Sequence, residues 1–246
     1  MVAESAVSRG TVVPGTMLTR PQWLGERIAD MGISWGTGNS RVAGTLWWCM
    51  AASSLVDPIA TAYARGRAAH PPELEHLRCE IRPDGGVERV ICTPTGRAET
   101  DPDVVGRSPV DHDATEPHDA TEPAASDASA VDGDVGRTLR KTLGRIIPAV
   151  ADVSGAGVAS LWAVVADAIG NRALDAGDGE AGSRLAREVA GRLPVPRFTD
   201  IGGRTFVRRI SCCLVFEVPG CEMCTSCPKR PAAQRHTLLS ELAAQR

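Results

Sequence analysis

The cysteines crowd into one short stretch, and this constrains the chain more than any other feature. Cys212-Cys213 is followed, after ten intervening residues, by Cys224-x-x-Cys227, with Cys221 inside the loop, so five of the eight cysteines lie between 212 and 227. Met1 to Gly15 holds no apolar stretch between a basic start and a small-residue cleavage site, which predicts a protein that stays in the cytoplasm. Cytosolic thiols are kept reduced, so clustered cysteines there point to metal binding rather than to a disulfide framework. Cys224-x-x-Cys227 has the spacing in which two sulfurs converge on one metal, and Cys212-Cys213 supplies two more. Neighbouring side chains on a regular strand point to opposite faces, so both members of the adjacent pair can meet one centre only where the backbone bends. A break or bulge is therefore expected at Ser211 to Cys213.

The rest of the composition narrows the class of protein. With 246 residues and 43% hydrophobic content the chain can build a real core, in one large domain or two modest ones. A net charge of −3 gives no field strong enough to gather nucleic acid or an anionic membrane. The uncharged run Val42 to Val56 falls short of the ~20 residues that cross a bilayer, and it reads as a buried helix, with no stable membrane insertion.

The chain divides into four regions: 1–96, helical with a β-hairpin; 97–136, an acidic insert; 137–200, helical; and 201–246, which holds the cysteines. Arg20 to Ala69 has helical patterning, and Leu77 to Ile81 and Val87 to Cys92 flank Asp84-Gly85-Gly86 as a hairpin. Region 97–136 is rich in Asp, Pro, Ala, Ser and Thr and contains a tandem hexapeptide, His112 to Pro117 and His118 to Pro123. Such a segment cannot bury enough surface to offset its ordering entropy, which predicts disorder. Leu139, Leu143, Ile146, Ile147 and Val150 share one helical face, and Val158, Leu161, Trp162, Val165 and Ile169 share another. Gly155-Ala-Gly157 between them imitates a dinucleotide-binding fingerprint, but a helical pattern rather than a strand precedes it and Ser160 stands where the third glycine belongs. A third helix is expected from Glu180 to Leu193, strands over Arg204 to Ile210 and Leu214 to Val218, and a last helix over Ala232 to Arg246 that can close over the cysteines. The fold class is α+β: a helix-rich body, a small antiparallel sheet and a C-terminal cysteine-rich lobe.

Four thiolates in paired spacing serve a structural zinc ion and an iron–sulfur core alike. Cys221-x-x-Cys224-x-x-Cys227 has the repeat of bacterial ferredoxins, but Pro231 occupies the place of the next cysteine. Cys49, Cys79 and Cys92 read as small core residues, and His236 as an exposed or capping residue. Arg204, Arg208 and Arg209 can steer an anionic partner or simply form a solvated strand face.

The order Arg208-Arg209-Ile-Ser-Cys212-Cys213-Leu-Val-Phe, with Cys224-x-x-Cys227-Pro228 at its spacing, resembles the C-terminal signature of the FhuF-type siderophore-iron reductases. Arg41-Val-Ala-Gly-Thr-Leu-Trp47 and Ser160-Leu-Trp162-Ala-Val-Val-Ala-Asp167 resemble two helical segments of the same family. The resemblance implies a [2Fe–2S] cluster held by Cys212, Cys213, Cys224 and Cys227, with Cys221 spare. It further implies one-electron reduction of Fe(III) in an imported siderophore, with electrons from a ferredoxin or a flavin-dependent reductase. No catalytic acid, base or nucleophile is implied beyond the cluster. The alternatives are a zinc-stabilised binding module and an iron–sulfur sensor or carrier.

Overall fold

Helix α2, Ser40–Ala64, buries residues on nearly every side, and such a helix is stable only with neighbours all round it. The structure, a computed structural model, describes residues 10–92 and 126–245, with side chains from 134 onward in the second stretch, and α2 is its central helix. Around α2 pack α1 (Pro21–Trp35), α3 (Ser126–Ser154), α4 (Val158–Asp175) and α5 (Gly179–Val189). Trp47 and Trp48 are fully buried in α2, and each indole N–H finds a backbone carbonyl at 2.9 Å, that of Gly85 and of Leu161 respectively. These bonds pin α2 to the hairpin turn and to α4 without leaving a buried donor unmade. Gly44 permits the close approach of α3, since a Cβ there would lie 2.2 Å from Ser154 Cβ.

The helical pattern over Arg20 to Ala69 resolves into two helices. Gly36 ends α1 in the left-handed conformation (φ 67°), and the Asn39 side chain caps α2 by accepting from the amides of Arg41 and Val42 at 3.0 and 3.3 Å. The expected hairpin forms from β2 (Leu77–Ile81) and β3 (Val87–Cys92). A strand that the sequence did not announce, β1 (Thr11–Pro14), adds antiparallel to β2 with Val13 opposite Cys79.

Of the segment read as an acidic insert, 97–125 lies outside the described residues, and 126–136 forms the first turns of α3. Val135 is fully buried, and Gly136 lies so near α5 that a Cβ would come within 2.7 Å of Glu188 Cβ. Packing against α5 thus carries the helix into a stretch whose composition suggested none. Gly155, with φ 75°, and Gly157, the N-cap residue of α4, make a tight turn between two helices. α5 ends at Val189, four residues before the expected Leu193, where Ala190 takes a positive φ of 52°.

Beyond the helices, β4 (Phe198–Ile201) and β5 (Arg204–Val207) form a second antiparallel sheet. Their two-residue connection is Gly202-Gly203, both at positive φ, as a hairpin turn matching strand twist requires. Two strand expectations need correction here. β5 stops at Val207 rather than Ile210, and Val215–Glu217 is a 3₁₀ turn, not a strand, because Leu214 adopts φ 63° and turns the chain aside. Helix α6 (Ala232–Ala244) closes the chain, with Leu239 buried beneath it. The class is α+β, a helix-rich body with two small antiparallel sheets, and one buried core extends from Leu18 to Val218. Among the described residues no helix is long and apolar enough to cross a membrane.

Candidate metal centre

After β5 the chain leaves regular structure, and a carboxylate from the helical body holds it in place. Asp167 of α4 is 4% exposed. Its carboxylate accepts hydrogen bonds from the amide of Ile210 (3.0 Å), the amide of Ser211 (2.8 Å) and the hydroxyl of Ser211 (2.6 Å). Arg209 Nε stands 3.6 Å from it as the counter-charge. A buried carboxylate is tolerable when its lone pairs are taken up and its charge is answered, and both conditions are met here.

Arg209 also faces the cysteines. One guanidinium nitrogen, Nη1, lies 3.5 Å from Cys224 Sγ, and Nη2 lies 3.5 Å from Ser211 Oγ. The left-handed turn at Leu214 lets the adjacent thiols of Cys212 and Cys213 both meet the 224–227 loop. Cys212 Sγ is 4.0 Å from Cys227 Sγ, and Cys224 is the neighbour that most affects the Cys213 thiol. The close approach of Cys212 to Cys227 thus runs across the motif, one member from each half. The loop is braced by its own backbone: the Cys227 amide donates to the Cys224 carbonyl (3.1 Å), and Arg235 Nη1 donates to the carbonyls of Cys227 (3.3 Å) and Arg230 (2.9 Å).

Thiol acidity follows these contacts. Cys213 is pulled down to about 5, first by its hydrogen bond with Cys224, against burial, and then by the Val215 amide and the Arg209 charge. Cys224 is pushed up, first by the same hydrogen bond and then by burial. Cys212 is raised by burial, with the Leu214 amide opposing.

The other candidates fall in different places. Cys221 is half-buried on the turn after Val218 and is no part of the Cys212–Cys227 approach. Cys79 lies in the core, where burial lifts its thiol to about 12, and Cys92 is likewise raised by burial. Cys49 is lifted to about 12 by burial too, yet it lies near enough to Arg209, Cys213 and Cys212 to feel their charges. It lines a cavity of about 360 Å³ together with Asp167, Arg209, Thr225, Leu239 and Leu242, so it is a neighbour of the site rather than filler in a remote core. Leu239 and Leu242 come from α6, which thereby walls that side. Arg204 is exposed over the Phe206 ring, and Arg208 is exposed; of the three arginines only Arg209 turns inward. His236 is exposed on α6 with Ser240 beside its ring.

A second cavity, of about 370 Å³, opens on the Cys212 side, where Arg41, Ser160 and Lys229 contribute to its wall. A bigger one of about 690 Å³ lies between α2 and the β2–β3 hairpin, and no cysteine lines it. Among the described residues no three His, Cys, Asp or Glu side chains form a ready-made group round a single metal ion.

Asp167 is the residue sequence reasoning passed over. A lone carboxylate in an apolar helical pattern carries no sign of what it will meet; its one local signal is a charge on the buried face of α4.

Residues 209–229 match the family model described as FhuF 2Fe-2S C-terminal domain. The match covers both cysteine pairs, Arg209 and the Leu214 turn, and with the clustered thiols it points to an iron–sulfur cluster. No curated protein and no solved structure matches the chain.

Proposed function

We propose that the chain is a ferric-siderophore reductase in which Cys212, Cys213, Cys224 and Cys227 hold a [2Fe–2S] cluster. The observation that carries this reading is that the matched stretch takes in all four cysteines and that Cys212 and Cys227, from opposite halves of the motif, approach to 4.0 Å. Two thiolates bound at about 2.3 Å to one tetrahedral metal stand about 3.8 Å apart. Cys212 and Cys227, at 4.0 Å, are near that spacing already. Cys212, Cys213, Cys224 and Cys227 would supply the four thiolates that a two-iron cluster needs, with Cys221 spare. When bound, such a cluster takes up and gives up one electron.

The protein's own residues hold and charge-balance the site. Arg209 opposes negative charge on the sulfurs, and Asp167 ties the segment to α4. Cys212, Cys213 and Cys224 are only partly buried, which keeps the centre near the surface, where a donor protein and a bulky chelate can both reach it. The substrate follows from the resemblance. Hard anionic oxygen donors hold Fe(III) far better than Fe(II), so one electron, drawn from a ferredoxin or flavin-dependent reductase, yields Fe(II) and frees an intact chelator. The reaction breaks no covalent bond of the chelator and asks for no nucleophile or general base.

Anaerobically purified protein is expected to contain iron and sulfide in equal amounts and to show a paramagnetic signal after dithionite reduction. Mixed with ferric hydroxamate or catecholate siderophores, the reduced protein should release Fe(II) to a trapping chelator. A colourless preparation with zinc and no sulfide would refute the cluster. A loaded cluster that reduces none of these complexes would leave a sensor or carrier in place of a reductase.

A further inference from the structure

Arg209 reaches a cysteine sulfur with its guanidinium, and its contacts give it a task beyond charge balance. Its side chain is 18% exposed, too enclosed to steer a large ligand from solvent. It reaches in two directions, with Nη1 3.5 Å from Cys224 Sγ and Nε 3.6 Å from the Asp167 carboxylate. Asp167 in turn grips the next two residues through the amides of Ile210 and Ser211 and the Ser211 hydroxyl. The carboxylate thus fixes both the guanidinium and the backbone that carries it, immediately before the adjacent cysteines. Such an arrangement presents an N–H and a positive charge to a sulfur in a fixed geometry.

We propose that Arg209 donates a hydrogen bond to the Cys224 sulfur of the assembled cluster and raises its reduction potential, and that Asp167 is the positioning residue that holds Arg209 there. The inference rests on the cluster reading above. Hydrogen bonds and positive charge at ligand sulfurs stabilise the reduced cluster, which carries one more negative charge than the oxidised one. Removing them moves the potential down. Asp167 comes from α4, outside the matched stretch, so the tuning depends on how the helical body docks against the cysteine lobe.

Redox titration of the whole chain, followed by its visible and paramagnetic spectra, tests this. Iron and sulfide are measured first on the unsubstituted protein; their absence refutes the cluster itself, a separate outcome from those below. With the cluster present, Arg209→Gln should have a more negative midpoint potential, and Arg209→Lys, which keeps the charge but loses the planar fork, should fall between. A loaded Arg209→Gln protein at the unsubstituted potential overturns the inference. If Arg209→Gln loses its cluster, Arg209→Lys decides: a lowered potential supports the inference and an unchanged one overturns it. Loss from both overturns the inference, because Arg209 is then needed to retain the cluster rather than to set its potential. For Asp167 a double-mutant cycle is the readout. The shift caused by Asp167→Asn should vanish in the Arg209→Gln background; the same shift in both backgrounds means that Asp167 acts by its own field and is not a positioning residue.

Discussion

Replacing Asp167 by alanine should destabilise the protein even when no metal is bound, and the structure sets the scale. The carboxylate is 4% exposed and is the acceptor for two backbone amides and one hydroxyl. The Ser211 hydroxyl can rotate towards another acceptor, but the two amides cannot. A buried donor left without a partner costs about 1–3 kcal/mol. The same substitution strands Arg209, and breaking a buried ion pair from one side costs about 3–5 kcal/mol. These losses overlap in the same few atoms, so the total is about 3–5 kcal/mol rather than their sum. Against an ordinary stability of about 5–15 kcal/mol this is a large share, and for a chain of this size it lowers the melting temperature by about 6–20 °C. Thermal and urea unfolding of the apoprotein, with hydrogen exchange over 208–215, measures it. Asp167→Asn keeps an oxygen for the amides and should recover part of the loss. If Asp167→Ala costs under about 1 kcal/mol and the Ile210 and Ser211 amides stay protected, the carboxylate does not hold the segment and the reasoning fails.

Other substitutions read out other parts of the structure. Cys212→Ser and Cys227→Ser should each abolish most cluster-bound iron after reconstitution, while Cys221→Ser should leave iron per chain unchanged; loss of iron from Cys221→Ser would reassign the ligands. Gly44→Ala puts a Cβ 2.2 Å from Ser154 Cβ, so α2 and α3 must separate, at about 1–3 kcal/mol. A melting temperature equal to that of the unsubstituted protein would contradict this. Asp178 caps α5 and is held below the usual carboxylate range, first by the Ala181 amide and, against slight burial, by Arg184. Because its folded value lies below the unfolded one, its contribution is present above about pH 4 and lost as pH falls through the folded value. Asp178→Ala should therefore cost about 1 kcal/mol in urea unfolding at pH 7, with the gap to the unsubstituted protein closing towards pH 2. A gap that persists there would place the effect elsewhere.

Local features that needed no partner were legible in advance. The hairpin of β2 and β3 announced itself through alternation and Asp84-Gly85-Gly86, and the apolar faces of α3 and α4 through their period. The β4–β5 hairpin across Gly202-Gly203 was not anticipated, because β4 is only four residues long and carries little pattern of its own. β1 was different: Thr11 to Pro14 is short and mostly exposed, and it becomes a strand only because β2 offers it an unpaired edge. Val135 and Gly136 likewise looked like insert until α5 supplied a surface to pack on.

The cysteine motif divides along the same line. Residue type and spacing by themselves marked 212, 213, 224 and 227 as candidate ligands, because paired thiols at knuckle spacing suit a metal. They determined too that the backbone must break near the adjacent pair, since a straight strand would send its thiols to opposite faces. Only the tertiary structure decided how the break is made, with Leu214 turned left-handed, and that Cys212 approaches Cys227 across the motif. It alone drew in Cys49, Arg209 and Asp167, which no local pattern could join. A buried charge and its partner are matched by the docking of elements distant in sequence, and spacing along the chain holds no record of that match.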